Sequence, residues 1–199
     1  MTSNSPDEQA RVVACLDVHL PADLRAELHR DDPSLDIFLR LSDGQMLCTA
    51  YNAVLRKSEK PWGFIPRDSI HDVISLMRER QLKEQAERRS SVDESGHLQV
   101  GGSSSTSMRR VSSEGLSGDD SVVINNNKSR IGLTFRRLEN LRVFVAAIKL
   151  RYSIQLSQNI DLRIIARKEE GWREMITEIA SKWVEAAAYE KRNEETDSD

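Results

Sequence analysis

Apolar residues recur every three or four positions along most of this chain, the spacing of a helix face, and no alternating strand pattern stands out. Ala10, Val13, Leu16 and Leu20 predict an amphipathic helix from Asp7 to about Leu20, opened by Pro6-Asp7. Pro21-Ala22-Asp23 opens a second, short helix through Leu24 and Leu28. After Pro33-Ser34, the residues Leu35, Phe38, Leu39 and Leu41 lead into Ser42-Asp43-Gly44, which reads as a tight turn and helix start. Met46, Leu47, Ala50, Tyr51 and Val54 then mark a buried helix to about Arg56, and Ser42 or Asp43 is placed to accept the unpaired N–H groups of its first turn. Pro61-Trp62-Gly63-Phe64-Ile65-Pro66 is a loop with three large apolar side chains, a content that implies docking onto a core. Ile70, Val73, Ile74 and Met77 predict a helix to about Leu82. Leu138, Leu141, Phe144, Val145, Ile148 and Tyr152 trace one stripe on a helix from about Phe135 to Tyr152, with Thr134 as its N-cap. Trp172, Met175, Ile176, Ile179, Ala180, Trp183 and Val184 predict a last helix. The expected fold is all-α, a compact bundle of about six helices.

Composition changes the picture in one stretch. Residues 83–129 hold five of the nine glycines and a dense run of serines, with no aromatic residue. Too little apolar area is present there to offset backbone ordering, which costs about 1–2 kcal/mol per residue. The reading is a disordered insertion whose charges nearly cancel, six basic against seven acidic, with Val122-Val123-Ile124 its one sticky patch. The expected organisation is therefore a disordered N-terminus at 1–7, one domain in two parts at 8–82 and 130–188, the insertion between them, and an acidic tail at 189–199.

The 199 residues are 38% hydrophobic and 31% charged, with a net charge of −3, so no global attraction to nucleic acid or anionic lipid exists. No apolar run approaches the roughly 20 residues of a membrane span. The polar start, Met1 to Glu8, lacks the order of a signal peptide. Cys15 and Cys48 both fall in apolar patterns and read as buried free thiols, which fits a cytoplasmic address. No phosphate loop, dinucleotide fingerprint, H-E-x-x-H or C-x-x-C is present, and the four histidines at 19, 29, 71 and 97 are scattered. No enzyme, cofactor or metal is expected; a diverged enzyme with a site invisible in sequence is the most distant alternative.

Two blocks carry more specific information. The first contains Leu41, Asp43-Gly44, Leu47-Cys48 and Asn52; the second contains Phe135, Glu139-Asn140-Leu141, Phe144-Val145 and Ala147. Together with Asp161-Leu162 and the helix around Trp172 to Trp183, they resemble the calponin-homology family over roughly residues 8–82 and 130–188. The insertion, the lack of a tryptophan in the first helix and the Lys60-Pro61-Trp62-Gly63 loop depart from that family's usual pattern. The resemblance implies a helical interaction domain, with actin binding mainly for tandem pairs and adaptor roles for lone domains. Read as residues alone, Gly44 permits a tight turn beside packed helices, and Asn52 and Asn140 are polar groups within apolar stripes, suited to bonding a neighbouring loop's backbone.

Candidate binding residues lie around these blocks. Arg130, Arg136, Arg137, Arg142, Lys149 and Arg151 fall within 22 residues, opposed by Glu139 alone. A helical wheel puts Arg136 and Arg151 on one side of the apolar stripe and Arg142 and Lys149 on the other. The plain reading is a solvated helix flank; the sharper one is an acidic partner such as an F-actin or tubulin surface or anionic lipid, and aromatic residues do not interleave with it as nucleic-acid binding would require. Trp62 is a further partner-binding candidate. Arg88-Arg89-Ser90-Ser91 and Arg109-Arg110-Val111-Ser112 match the R-R-x-S pattern of basophilic kinases, making Ser91 and Ser112 phosphorylation candidates. A phosphorylated insertion is expected to mask the Arg136/Arg151 side. The expected function is a non-catalytic, monomeric, actin-associated interaction module; the alternative is a signalling or trafficking adaptor without actin contact.

Overall fold

Two helix starts in this chain are made by short polar side chains and a third by a glycine. In the computed structural model, which describes residues 6–30, 36–95 and 119–197, Asp36 accepts the Phe38 N–H at 3.1 Å and Asp161 the Arg163 N–H at 2.8 Å, each opening a short helix. Gly44 caps a third helix from the left-handed region, at φ 73°. The elements in order are α1 (Pro6–His19), α2 (Ala22–Leu28), α3 (Ile37–Leu41), α4 (Gln45–Leu55), a single 3₁₀ turn (Arg67–Ser69), α5 (Val73–Ser95), α6 (Asp119–Tyr152), α7 (Leu162–Arg167) and α8 (Trp172–Asp197). The fold is all-α, and the described residues contain no strand. Of the helices beyond the expected six, α3 and α7 span only five and six residues, too few for an apolar period to show.

Two helices are longer than the apolar pattern marks. α5 continues past Leu82 through Lys83-Glu84-Gln85-Ala86, all strong helix formers, with Arg80 and Glu84 paired at 2.8 Å one turn apart. α6 begins at Asp119, so Thr134 lies inside the helix instead of capping it. No proline interrupts 119–134, and the single Gly132 costs a helix only about 1 kcal/mol. Residues 96–118, including Ser112, lie outside the described residues; Ser91 falls in the last part of α5.

The chain divides into two compact units, Met1–Val73 with Ile131–Asp199, and Ile74–Arg130. The first unit contains the core. In it α1 packs on α4 and α8, α3 on α4 and α8, and α7 on α8. Tyr51, Phe144 and Trp183 meet edge to face at its centre, with ring centroids 6.2 and 5.4 Å apart. α1 buries Val12 and Leu16, and Leu20 just beyond it is buried too, so its inner face runs through Val12 where the pattern had Val13. Arg40 is also buried: its guanidinium donates to the carbonyls of Glu27 and Leu28 and, at 2.6 Å, of Arg30. One side chain thereby serves the carbonyls left open at the end of α2.

Candidate interaction surface

Two loops in the first unit are each held by one asparagine. Asn140 of α6 donates to the backbone carbonyls of Asp43 and His71, both at 3.0 Å, and accepts the His71 N–H at 2.8 Å. Its own carbonyl accepts from the Cys48 thiol at 3.3 Å. Gly44 crosses α6 at this point so closely that a Cβ there would stand 2.8 Å from the Asn140 Cβ and 2.9 Å from the Leu141 nitrogen. The turn is therefore buried as well as bonded. Beside it the Asp43 carboxylate accepts the Gln45 N–H at 2.8 Å. Burial pushes its pKa up from 3.8 to about 6; the Gln45 N–H and the charges of Arg137 and Lys168 pull the other way. Burial and the Arg137 charge bring Lys168 down to about 8.

Asn52 of α4 does the same for the second loop. Its amide donates to the Ile65 carbonyl and accepts the Ile65 N–H, both at 2.9 Å, and Ile65 is buried. Tyr51 donates its hydroxyl proton to the Gly63 carbonyl at 3.0 Å, and Gly63 takes the left-handed conformation, φ 83°, that the tight path requires. Between these fixed points Trp62 and Phe64 remain 49% and 41% exposed. The core docking expected of this loop thus applies to Ile65, while its two aromatic rings face water.

Trp62 has a support of its own. The Arg151 guanidinium lies 4.6 Å from the ring centroid, bonds Glu190 at 2.6 Å and donates to the Ser58 hydroxyl at 3.2 Å. Ser58 in turn donates to Glu194 at 2.7 Å. The Arg151 side chain is only 1% exposed. The helical-wheel expectation of a solvated Arg136/Arg151 flank is thus corrected for Arg151, which is enclosed by the Trp62 ring, Glu190 of α8 and Ser58. The distance in sequence to Glu190 hid this pairing.

The other candidates separate. Arg136 and Lys149 are exposed. Arg142 is ion-paired with Glu139 at 2.6 Å, one turn back. Arg137 is partly buried, and burial lowers its pKa while Asp43 raises it. The structure thus does not assemble one basic face from Arg136, Arg137, Arg142, Lys149 and Arg151. The tail expected from 189 onward continues α8 to Asp197, and its Glu190 and Glu194 belong to the Trp62 support.

Cys15 and Cys48 are both free thiols, and burial pushes each up, Cys15 to about 11. Among the described residues no group of three or more His, Cys, Asp or Glu side chains is placed to hold a metal ion, and no helix is long and apolar enough to cross a membrane. Two cavities open on this unit. One, of about 680 Å³, is lined by small apolar residues of α1, α4 and α8, such as Val18, Val54 and Val184, together with polar and charged ones that include Lys57, Glu190 and Lys191. The other, of about 620 Å³, is polar and contains Arg56 and Arg67, which sequence reading passed over. A polar stripe on α4 (Gln45, Thr49, Asn52, Arg56) was the signal available for it. In comparisons with known proteins, no family model, no curated sequence and no solved structure matches this chain.

Proposed function

We propose that this chain is a non-catalytic protein-interaction module, calponin-homology-like and cytoskeleton-associated, that docks on an acidic protein surface through the Trp62 loop. The observation that carries the reading is the presentation of Trp62 and Phe64, half-exposed, on a backbone pinned by Asn52 and Tyr51. A rigid aromatic anchor binds with little ordering cost, and such anchors dominate the energy of many interfaces. Lys57 and Lys60 are exposed near it in the chain and are in no ion pair among the described residues, which favours an acidic partner. The two calponin-homology-like blocks make F-actin the first filament to try.

Cosedimentation of the full chain with F-actin, and separately with microtubules, tests this. Pelleting with F-actin is expected to weaken as salt rises and to fall about tenfold or more in Trp62→Ala and Phe64→Ala. Circular dichroism should show both variants folded. No pelleting with F-actin removes the cytoskeletal part of the proposal, and binding indifferent to both substitutions removes the loop.

A further inference from the structure

α4 is buried around most of its circumference, yet Gln45, Thr49, Asn52 and Arg56 form one polar stripe along it. Facing the stripe are Arg67, Ile70 and Asp72 from the segment before α5, and His19 with Leu20 and Pro21 between α1 and α2; together they enclose the cleft of about 620 Å³.

The neutral polar groups of this cleft have structural partners. Gln45 donates to Asp72 at 3.1 Å and accepts the Val73 N–H at 2.9 Å. Thr49 donates to the Gln45 carbonyl at 2.9 Å, and both ends of the Asn52 amide are on Ile65. Three side chains differ. Arg56 and Arg67 are exposed and in no hydrogen bond or ion pair of their guanidinium groups among the described residues. His19 has a buried Nδ1 without a hydrogen-bond partner there. The donors without partners thus sit on two permanent cations, against one carboxylate that already accepts from an amide. Guanidinium groups bind phosphoryl oxygens in pairs, which makes an anion the matching ligand.

Size and lining narrow the class. The cleft is within the range of small-molecule sites and far larger than one phosphate needs. No Phe, Tyr or Trp lines it, so it offers no stacking face for a nucleobase. The second lone pair of the Asn52 carbonyl oxygen suits a ligand hydroxyl. We propose that this cleft binds a small phosphorylated polyol, its phosphoryl groups held by Arg56 and Arg67. The proposal is independent of the Trp62 reading.

The test is a titration of the isotopically labelled full chain with fructose 1,6-bisphosphate, followed by amide NMR shifts. Parallel arms use inorganic phosphate and vesicles of phosphatidylcholine with phosphatidic acid. The expected result is saturable shifts centred on His19, Thr49, Arg56 and Arg67, with binding of the bisphosphate about tenfold or more tighter than of phosphate. Binding should be lost in Arg56→Gln/Arg67→Gln, whose exposed positions leave the spectrum otherwise that of the folded chain. Vesicle binding that the bisphosphate displaces, and that the double variant loses, identifies a lipid headgroup as the source of the same chemistry. Equal affinity for phosphate and bisphosphate, shifts centred elsewhere, or binding that survives the double substitution overturns the proposal.

Discussion

The Gly44 turn and the Trp62 loop are built alike and end differently. Each is a short irregular segment pinned through its backbone by one helix asparagine, Asn140 in the first case and Asn52 in the second. Around Gly44 the helices close so tightly that no Cβ fits. Around Trp62 the same kind of anchoring leaves two aromatic rings in water. Pinning with burial joins helices; pinning with exposure prepares a surface. The difference between a buried joint and an exposed loop lies here in what surrounds the fixed backbone, since the device that fixes it is shared.

The comparison breaks most visibly at Asn140. Asn140→Ala would leave the Asp43 carbonyl and both backbone groups of His71 without their side-chain partner at a buried crossing. A loss of about 3–5 kcal/mol is expected from urea unfolding. A loss under about 1 kcal/mol would show that packing alone holds the turn.

The closed turn should also respond to pH. Asp43 has a folded-state pKa of about 6 against an ordinary 3.8, because burial disfavours its charged form. Below the lower value both folded and unfolded chains hold the proton. Between the two values the folded chain holds it more firmly, so stability from this group declines as pH rises through the window and is gone above about 6. The full effect is on the order of 3 kcal/mol. Asp43→Asn keeps an acceptor for the Gln45 N–H and cannot titrate. Urea midpoints at pH 4.5 and 7 should therefore fall further in the parent chain than in the variant; equal falls would contradict the assignment.

The mildest break is Asn52→Ala, expected to cost about 1–3 kcal/mol because the loop can rehydrate its freed groups. Its sharper signature is local. Native-state hydrogen exchange at the Ile65 amide should accelerate about tenfold or more while the His71 amide stays protected. Equal acceleration at both would mean that the two segments open as one.

How much of this was legible follows from how local each signal is. Asn52 and Asn140 stand out because a polar residue interrupts an apolar stripe, and the structure gives both to loop backbones. Gly44 stands out because it follows Ser42-Asp43 at a helix start. Arg40 gives no such signal: its partners are backbone carbonyls 10–13 residues away, which have no side-chain identity to read. Arg151 was visible as a flank residue, but its burial depends on Glu190, 39 residues on, in a segment that composition alone marks as tail. The cleft arginines, Arg56 and Arg67, come to line one cleft only once the Ile65 segment folds back along α4.

The two glutamates near the end of α8 give that helix a reach beyond its own length. Glu190 neutralises the guanidinium beneath Trp62, and Glu194 holds the serine that the same guanidinium also contacts. Proteolytic trimming that removes both would strip an enclosed cation of its counter-charge and loosen the ring above it. A protease acting on the last turns of α8 would thereby alter a loop formed more than a hundred residues earlier.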